Sequence, residues 1–412
     1  MSANVPELMT ERLVSGVISA NVVRYSEITV SSRQGAAMQH PAPHERSVPR
    51  TMSQPLTDTS PRMRWMDLLR GVAVLLVVVL HGSDIPRANG LGVDQWIQLN
   101  LYLEPFRMPL LMFLSGTLLP RSLTKSSAAY LWGKFAGIIW PLMIWLVGFG
   151  VLIYRGGPGR LQYWLTGDYL WFLMALTLCY IFGMLLKPLV SRPQLLSGLA
   201  VVVFVVMVVT RHFTEVDNSL VTRTLYYGAF FFLGAACARI LQRWATAPWL
   251  LIAALGVVMA LLAHHGLESR EFRAGSLYAA PTAVIGIAVI LWVAPRIPAG
   301  KVNSFLQWVG RNSIVVYVCH FPIIILIHRG LSEVGVDPVL HVAISTVGGL
   351  LLSLVVVWLR PWTSWLYIVP GNQRVTARLA ARKRDPDARA GRAGGGVPDL
   401  GSDQDSDRMR MS

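Results

Sequence analysis

Apolar stretches of about 17–22 residues recur along the chain, separated by short polar or basic loops. As α-helix, that length matches the hydrocarbon core of a bilayer. The pattern predicts ten spans, at 66–84, 102–119, 131–153, 169–187, 195–210, 224–241, 248–264, 276–294, 312–328 and 338–358. The fifth is short. The second carries Glu104 and Arg107 in its first turn, with Pro105 and Pro109 predicted to distort it. The expected fold is all-α: a polytopic membrane protein with about ten helices in one bundle over 65–360. No internal repeat is visible.

One polar stripe interrupts the first span, in the string MDLLRGVAVLLVVVLHG. Arg70 and His81 are eleven residues apart, so about 100° per residue returns them to within about 20° of one another on the helix. Their separation along the axis is roughly 16 Å. Asp67 lies one turn before Arg70 on nearly the same face. Each ionisable group costs about 2.5–3.5 kcal/mol at bilayer depth on insertion scales, so the stripe is expected to face protein or a wet cavity.

Hydrophobic residues make up 53% of the 412-residue chain and charged residues only 14%, which excludes an ordinary soluble domain. Net charge is +15, with the basic residues in loops and tails, so no nucleic-acid partner is expected. The basic ends Arg62/Arg64 and Arg374–Arg389 predict both termini in the cytoplasm of a cell-membrane protein. Residues 1–64 and the basic tail 371–412 lack apolar periodicity and are expected to be disordered, the latter beside anionic lipid. Met52 is a second candidate translation start. Cys179, Cys237 and Cys319 fall inside spans without metal spacing and read as small buried apolar residues.

Several polar positions remain as candidates. Glu104 and Arg107 form either a structural ion pair or, through Arg107, the lining of an outward-facing acceptor pocket. Arg121, Lys125 and Lys134 form a basic collar before the third span. It serves either topology or contact with an anionic group such as a nucleotide phosphate. Asp168 is a candidate to orient His81. In the ninth span His320 is deep, with Tyr317 one turn away. His328, near the far interface, is assigned no role. No metal site is expected, and no phosphate loop or nucleophile elbow is present.

Four strings occur in a fixed order: MDLLRGVAVLLVVVLHG, FRMPLLMFLSGTLL, YLWFLMALTLCYI and GRNSIVVYVCHFPI. With the Arg-x10-His spacing in the first, the chain resembles acyltransferase family 3, the integral-membrane O-acyltransferases of bacterial envelopes, from about residue 64 to 360. The resemblance implies about ten helices, acyl-CoA (commonly acetyl-CoA) as cytoplasmic co-substrate, and no bound cofactor. It implies an acceptor hydroxyl in a carbohydrate or glycolipid, or in a sugar-bearing secondary metabolite. By position it makes His81 and Arg70 the essential pair. The chain departs from the pattern where many relatives carry Arg-x-x-Arg; here Lys134 is followed by Gly137.

In the chemistry this implies, neutral His81 takes the hydroxyl proton as the oxygen attacks the thioester, or carries the acyl group itself. Arg70, restrained by Asp67, holds the donor. The competing class is a transporter or flippase of a glycan or lipid-linked intermediate, which also needs many helices and buried charges.

Overall fold

The computed structural model describes residues 63–154, 157–213, 220–269, 272 and 276–384. The expected disorder of 1–62 and 385–412 lies outside the described residues. Among the described residues every regular element is a helix. The principal ones are α1 (Arg64–Ala88), α2 (Asp94–Gly116), α3 (Ser127–Leu152), α4 (Leu161–Leu185), α5 (Pro193–Phe213), α6 (Leu220–Cys237), α7 (Trp249–Glu268), α8 (Ala279–Arg296), α9 (Lys301–Arg311), α10 (Ser313–Val334), α11 (Pro338–Trp358) and α12 (Asn372–Arg384).

Each of the ten expected spans falls on a helix, but only eight helices among the described residues are long and apolar enough to cross a membrane. The exceptions are α2 and α5. Among the described residues of α5, the apolar helix spans Pro193–Met207, fifteen residues. For α2 the reason is polarity: Asn100, Glu104 and Arg107 interrupt its apolar run. This helix also begins eight residues before the expected 102, so Glu104 and Arg107 lie mid-helix rather than in a first turn. It continues unbroken past both prolines, where a distorted start was expected.

Helix α1 is the hub, packed against α2, α9, α10 and α11. Two close approaches set its position and that of α2. A methyl group on Gly71 would strike the Leu306 carbonyl of α9, and one on Gly310 would strike the Asp67 carbonyl. In the same way Gly116 of α2 abuts the Phe231 carbonyl and Gly234 of α6 abuts that of Phe113. Small residues let helix backbones meet where lipid supplies no hydrophobic drive. Helix α7 lies at the periphery against α8, with most of its apolar surface uncovered.

The segment after the last span departs from its expected disorder. Residues 372–384 form α12, which packs on the start of α3. Asn372, Val375 and Leu379 are its half-buried positions. Asn372 Oδ1 accepts from Trp132 Nε1 at 2.8 Å. Alanine and arginine are strong helix formers, so one docking contact and one turn-spaced face suffice.

Candidate functional site

The stripe on α1 is divided between two connected clusters. In the first, Asp67 is buried beneath α9, and Arg70 Nη1 lies 3.5 Å from its Oδ1. Arg70 Nη2 donates to the Leu114 carbonyl at 3.2 Å. Leu114 is in the last turn of α2, where carbonyls lack helical partners and the dipole favours a cation. Thr117 Oγ1 shares that carbonyl at 2.8 Å.

Arg70 opens into a narrow cavity of about 110 Å³. Its walls include Ser115 of α2, Ile138 of α3, Leu173 of α4, and Ser313 and Tyr317 of α10. Drug-sized ligands occupy about 300–1,000 Å³, so this slot fits a thin chain and not a nucleotide.

The collar reaches the same cavity through tyrosines. A π-helical turn, Phe135–Ile139, interrupts α3 directly after Lys134. Such turns mark sites where a helix face is re-aimed. Lys134 Nζ lies 3.4 Å from the Tyr180 ring centroid and 5.5 Å from that of Tyr130. Tyr130 donates to the Tyr180 carbonyl at 2.7 Å, and Tyr180 donates to the Ser115 carbonyl at 3.2 Å. Arg121 and Lys125 are exposed at the rim.

The second cluster surrounds His81. Its ring centroid is 5.3 Å from that of His320 and 5.1 Å from that of Phe321, which presents an edge. His320 is 1% exposed. Its Nδ1 lies 3.1 Å from the Val316 carbonyl. A carbonyl only accepts, so Nδ1 carries the proton and Nε2 the lone pair. That Nε2 is buried and has no hydrogen-bond partner among the described residues. His81 is half-buried.

Tyr317 links the two clusters: it lines the Arg70 cavity, and its ring centroid is 5.8 Å from that of His320. Its hydroxyl donates to the Tyr169 carbonyl at 3.2 Å. Tyr169 in turn donates to the Val318 carbonyl at 2.9 Å and stacks on Phe321 at 5.0 Å.

Asp168 serves this lacing. It has φ +45°, next to Gly167 at φ +73°, and its Oδ1 accepts from the Tyr169 backbone N–H at 2.7 Å. Asp tolerates the left-handed region better than most residues. No hydrogen bond joins Asp168 to His81 among the described residues, so its connection to the imidazole runs through the Tyr169–Phe321 stack.

Arg107 is buried and grips Asn100 twice: Nη1 donates to Oδ1 at 2.8 Å and Nη2 to the carbonyl at 2.9 Å. Asn100 Nδ2 donates to Ser83 Oγ at 2.6 Å, and Ser83 donates to the Leu80 carbonyl at 3.0 Å. The α2 network therefore holds α1 at Ser83, two residues after His81. The Arg107 charge acts on His81, and Glu104, Tyr227 and Asp84 act on Arg107. Asn100 and Ser83 are missing from the sequence-based candidates. The available signal was the seven-residue interval from Asn100 to Arg107, which returns two polar groups to one helix face.

A larger groove of about 310 Å³ between α5, α6 and α8 is lined by apolar residues such as Phe204, Phe230 and Leu233. It carries no acid, base or nucleophile.

The chain is similar to the inner membrane protein YcfT of Escherichia coli (strain K12), with 25% identity over 301 residues, covering 62% of this chain and 78% of that protein. No solved structure matches. A family description, "Acyltransferase domain", matches residues 63–358 and so takes in both clusters. This multi-pass membrane protein belongs to acyltransferase family 3.

Proposed function

We propose that the protein moves an acyl group, acetyl in the simplest case, from cytoplasmic acyl-CoA to a hydroxyl of a sugar-containing envelope glycan, glycolipid or secondary metabolite. The observation that carries this reading is the unbroken series Arg70, narrow cavity, Tyr317, His320, His81. A thin pantetheine arm suits the slot, and Tyr317 at its wall is all that separates its end from the imidazole pair. Basic residues at both ends of the membrane domain support cytoplasmic termini in a plasma-membrane protein. That orientation puts Arg70 and the Arg121/Lys125/Lys134 collar on the donor side. Lys134 and Arg70 then hold donor phosphate or carbonyl oxygens.

The acceptor oxygen attacks the thioester carbonyl while His81 takes its proton. The carbon–sulfur bond breaks, and the coenzyme A thiolate leaves and is protonated. Tyr317 and His320 fix the face of the site opposite α2, and Arg107 supplies positive charge where the tetrahedral oxyanion forms. The acyl donor is a co-substrate, and no bound cofactor is invoked.

The test is label transfer from radioactive acetyl-CoA to membrane acceptors, comparing wild type, His81→Ala and Arg70→Ala at matched protein levels. Loss of transfer in His81→Ala is expected, with a raised apparent donor KM in Arg70→Ala. Near-wild-type transfer by well-expressed His81→Ala would rule out the base. Movement of an unmodified glycan without label would favour a transporter.

A further inference from the structure

Four buried polar side chains lie beyond His81, away from Arg70. Helix α10 runs parallel to α1: Ser313 and Tyr317 meet the Arg70 cavity, and His320 meets His81. Two turns on, His328 Nδ1 lies 2.8 Å from His341 Nε2 of α11. Helix α11 then returns along the same seam. Ser345 follows His341 by one turn, and Thr346 presses on Gly82, the residue after His81. His328, His341, Ser345 and Thr346 are 8%, 0%, 0% and 3% exposed.

Beyond the contact between the two histidines, the protein leaves several of their polar atoms without a partner among the described residues. His341 Nδ1, Ser345 Oγ and Thr346 Oγ1 have no hydrogen-bond partner among the described residues, and neither does His320 Nε2. Thr224 and Ser353 share this state, whereas the helical hydroxyls of Ser115, Thr177, Thr282 and Ser332 each donate to the carbonyl four residues back. Buried polar groups in folded proteins are nearly always paired, with protein or with ordered water, so a seam of unpaired ones points to water. Chains of titratable groups inside membrane bundles, histidine among them, mark proton relays.

The geometry points to a hydrated proton path that runs from the His328–His341 pair, past Ser345 and Thr346, to His81 and His320. Its ligand is water, and its cargo is the proton. Of the two histidines, one nitrogen of the shared contact donates and the other accepts, so a proton arriving at one ring can leave from the far nitrogen of the other. The charged neighbour acting on His328 is Arg329, whose Nη2 donates to the Ile153 carbonyl at 3.4 Å. The role in turnover rests on acyl transfer at His81: the proton taken from the acceptor hydroxyl leaves by this path, and the thiolate takes one from cytoplasmic water, so the reaction balances. The hydration itself rests on no reaction.

The first test uses wild-type protein in detergent and follows deuterium exchange at the histidine ring C2 by mass spectrometry. His264, with 68% of its side chain exposed, is the internal reference. Exchange at His328 and His341 within about tenfold of that reference is expected; slower exchange overturns the hydrated path. No substrate is present, so this result is independent of the acyl-transfer reading, which His81→Ala tests separately. The second test is label transfer by His341→Ala, with thermal unfolding as the control. A loss of at least fivefold, recovered by half or more with added imidazole, is expected. A wild-type rate without imidazole overturns the relay, as does a loss that imidazole leaves unchanged.

Discussion

The hydroxyl of Tyr169 donates at 2.9 Å to the carbonyl of Val318, four residues before Pro322 in α10. Proline has no N–H, so that carbonyl lacks its helical partner and Tyr169 replaces it. The bond holds α4 to the helix that carries Tyr317 and His320.

Tyr169→Phe therefore leaves a buried carbonyl unpaired, which costs about 1–3 kcal/mol. In a Pro322→Ala background the helix regains its own donor, and the same substitution should cost much less. A double-mutant cycle on thermal unfolding reads the difference. Equal costs in both backgrounds would contradict the proline explanation.

The α1–α9 contact makes a sharper stability prediction. Gly310→Ala drives a methyl into the Asp67 carbonyl, whereas Gly148 of α3 has open space where a methyl would go. Overpacking costs about 1–3 kcal/mol, so Gly310→Ala should lower folded yield and unfolding temperature. Gly148→Ala should be neutral or stabilising, by up to about 1 kcal/mol from helix propensity. Parallel melting curves in detergent decide it; a neutral Gly310→Ala would mean the helices can separate freely.

Arg107→Lys keeps the charge but loses the two-pronged hold on Asn100. One polar group of Asn100 is then left buried and unpaired, at about 1–3 kcal/mol. The clasp on α1 loosens around His81, so label transfer should fall about tenfold or more. Arg107→Lys with unaltered transfer and melting would show that charge alone matters at this position.

These residues also show what can be read from a sequence of this kind. Arg70, His81 and His320 stand out because charged or titratable groups are costly in apolar helices. The helix positions follow from long apolar runs. The beginning of α2 does not, because Asp94, Gln95, Gln98 and Asn100 make its first two turns polar. The Asn100–Ser83 bond crosses between helices, so no local pattern encodes it. His328 looked unremarkable near its interface because His341, its partner, sits on the next helix. The basic helix α12 was missed since its composition resembles a solvated tail; only docking against Trp132 distinguishes them.

Lys134 separates donor binding from chemistry. It sits on the Tyr180 ring, one tyrosine away from the cavity wall at Ser115 and far along the series from His81. Charge-assisted hydrogen bonds contribute about 1.5–3 kcal/mol, so loss of a phosphate contact should weaken the donor about tenfold or more. Lys134→Met retains the apolar stem over Tyr180 and removes only the charge. It should raise the apparent KM for acetyl-CoA while leaving the rate at saturating donor within about twofold. Added salt should raise the wild-type KM and move the variant less, since the screened charge is already gone. An unchanged KM, with the loss confined to the saturated rate, would remove Lys134 from the donor site and leave it as a packing residue of the π-helical turn.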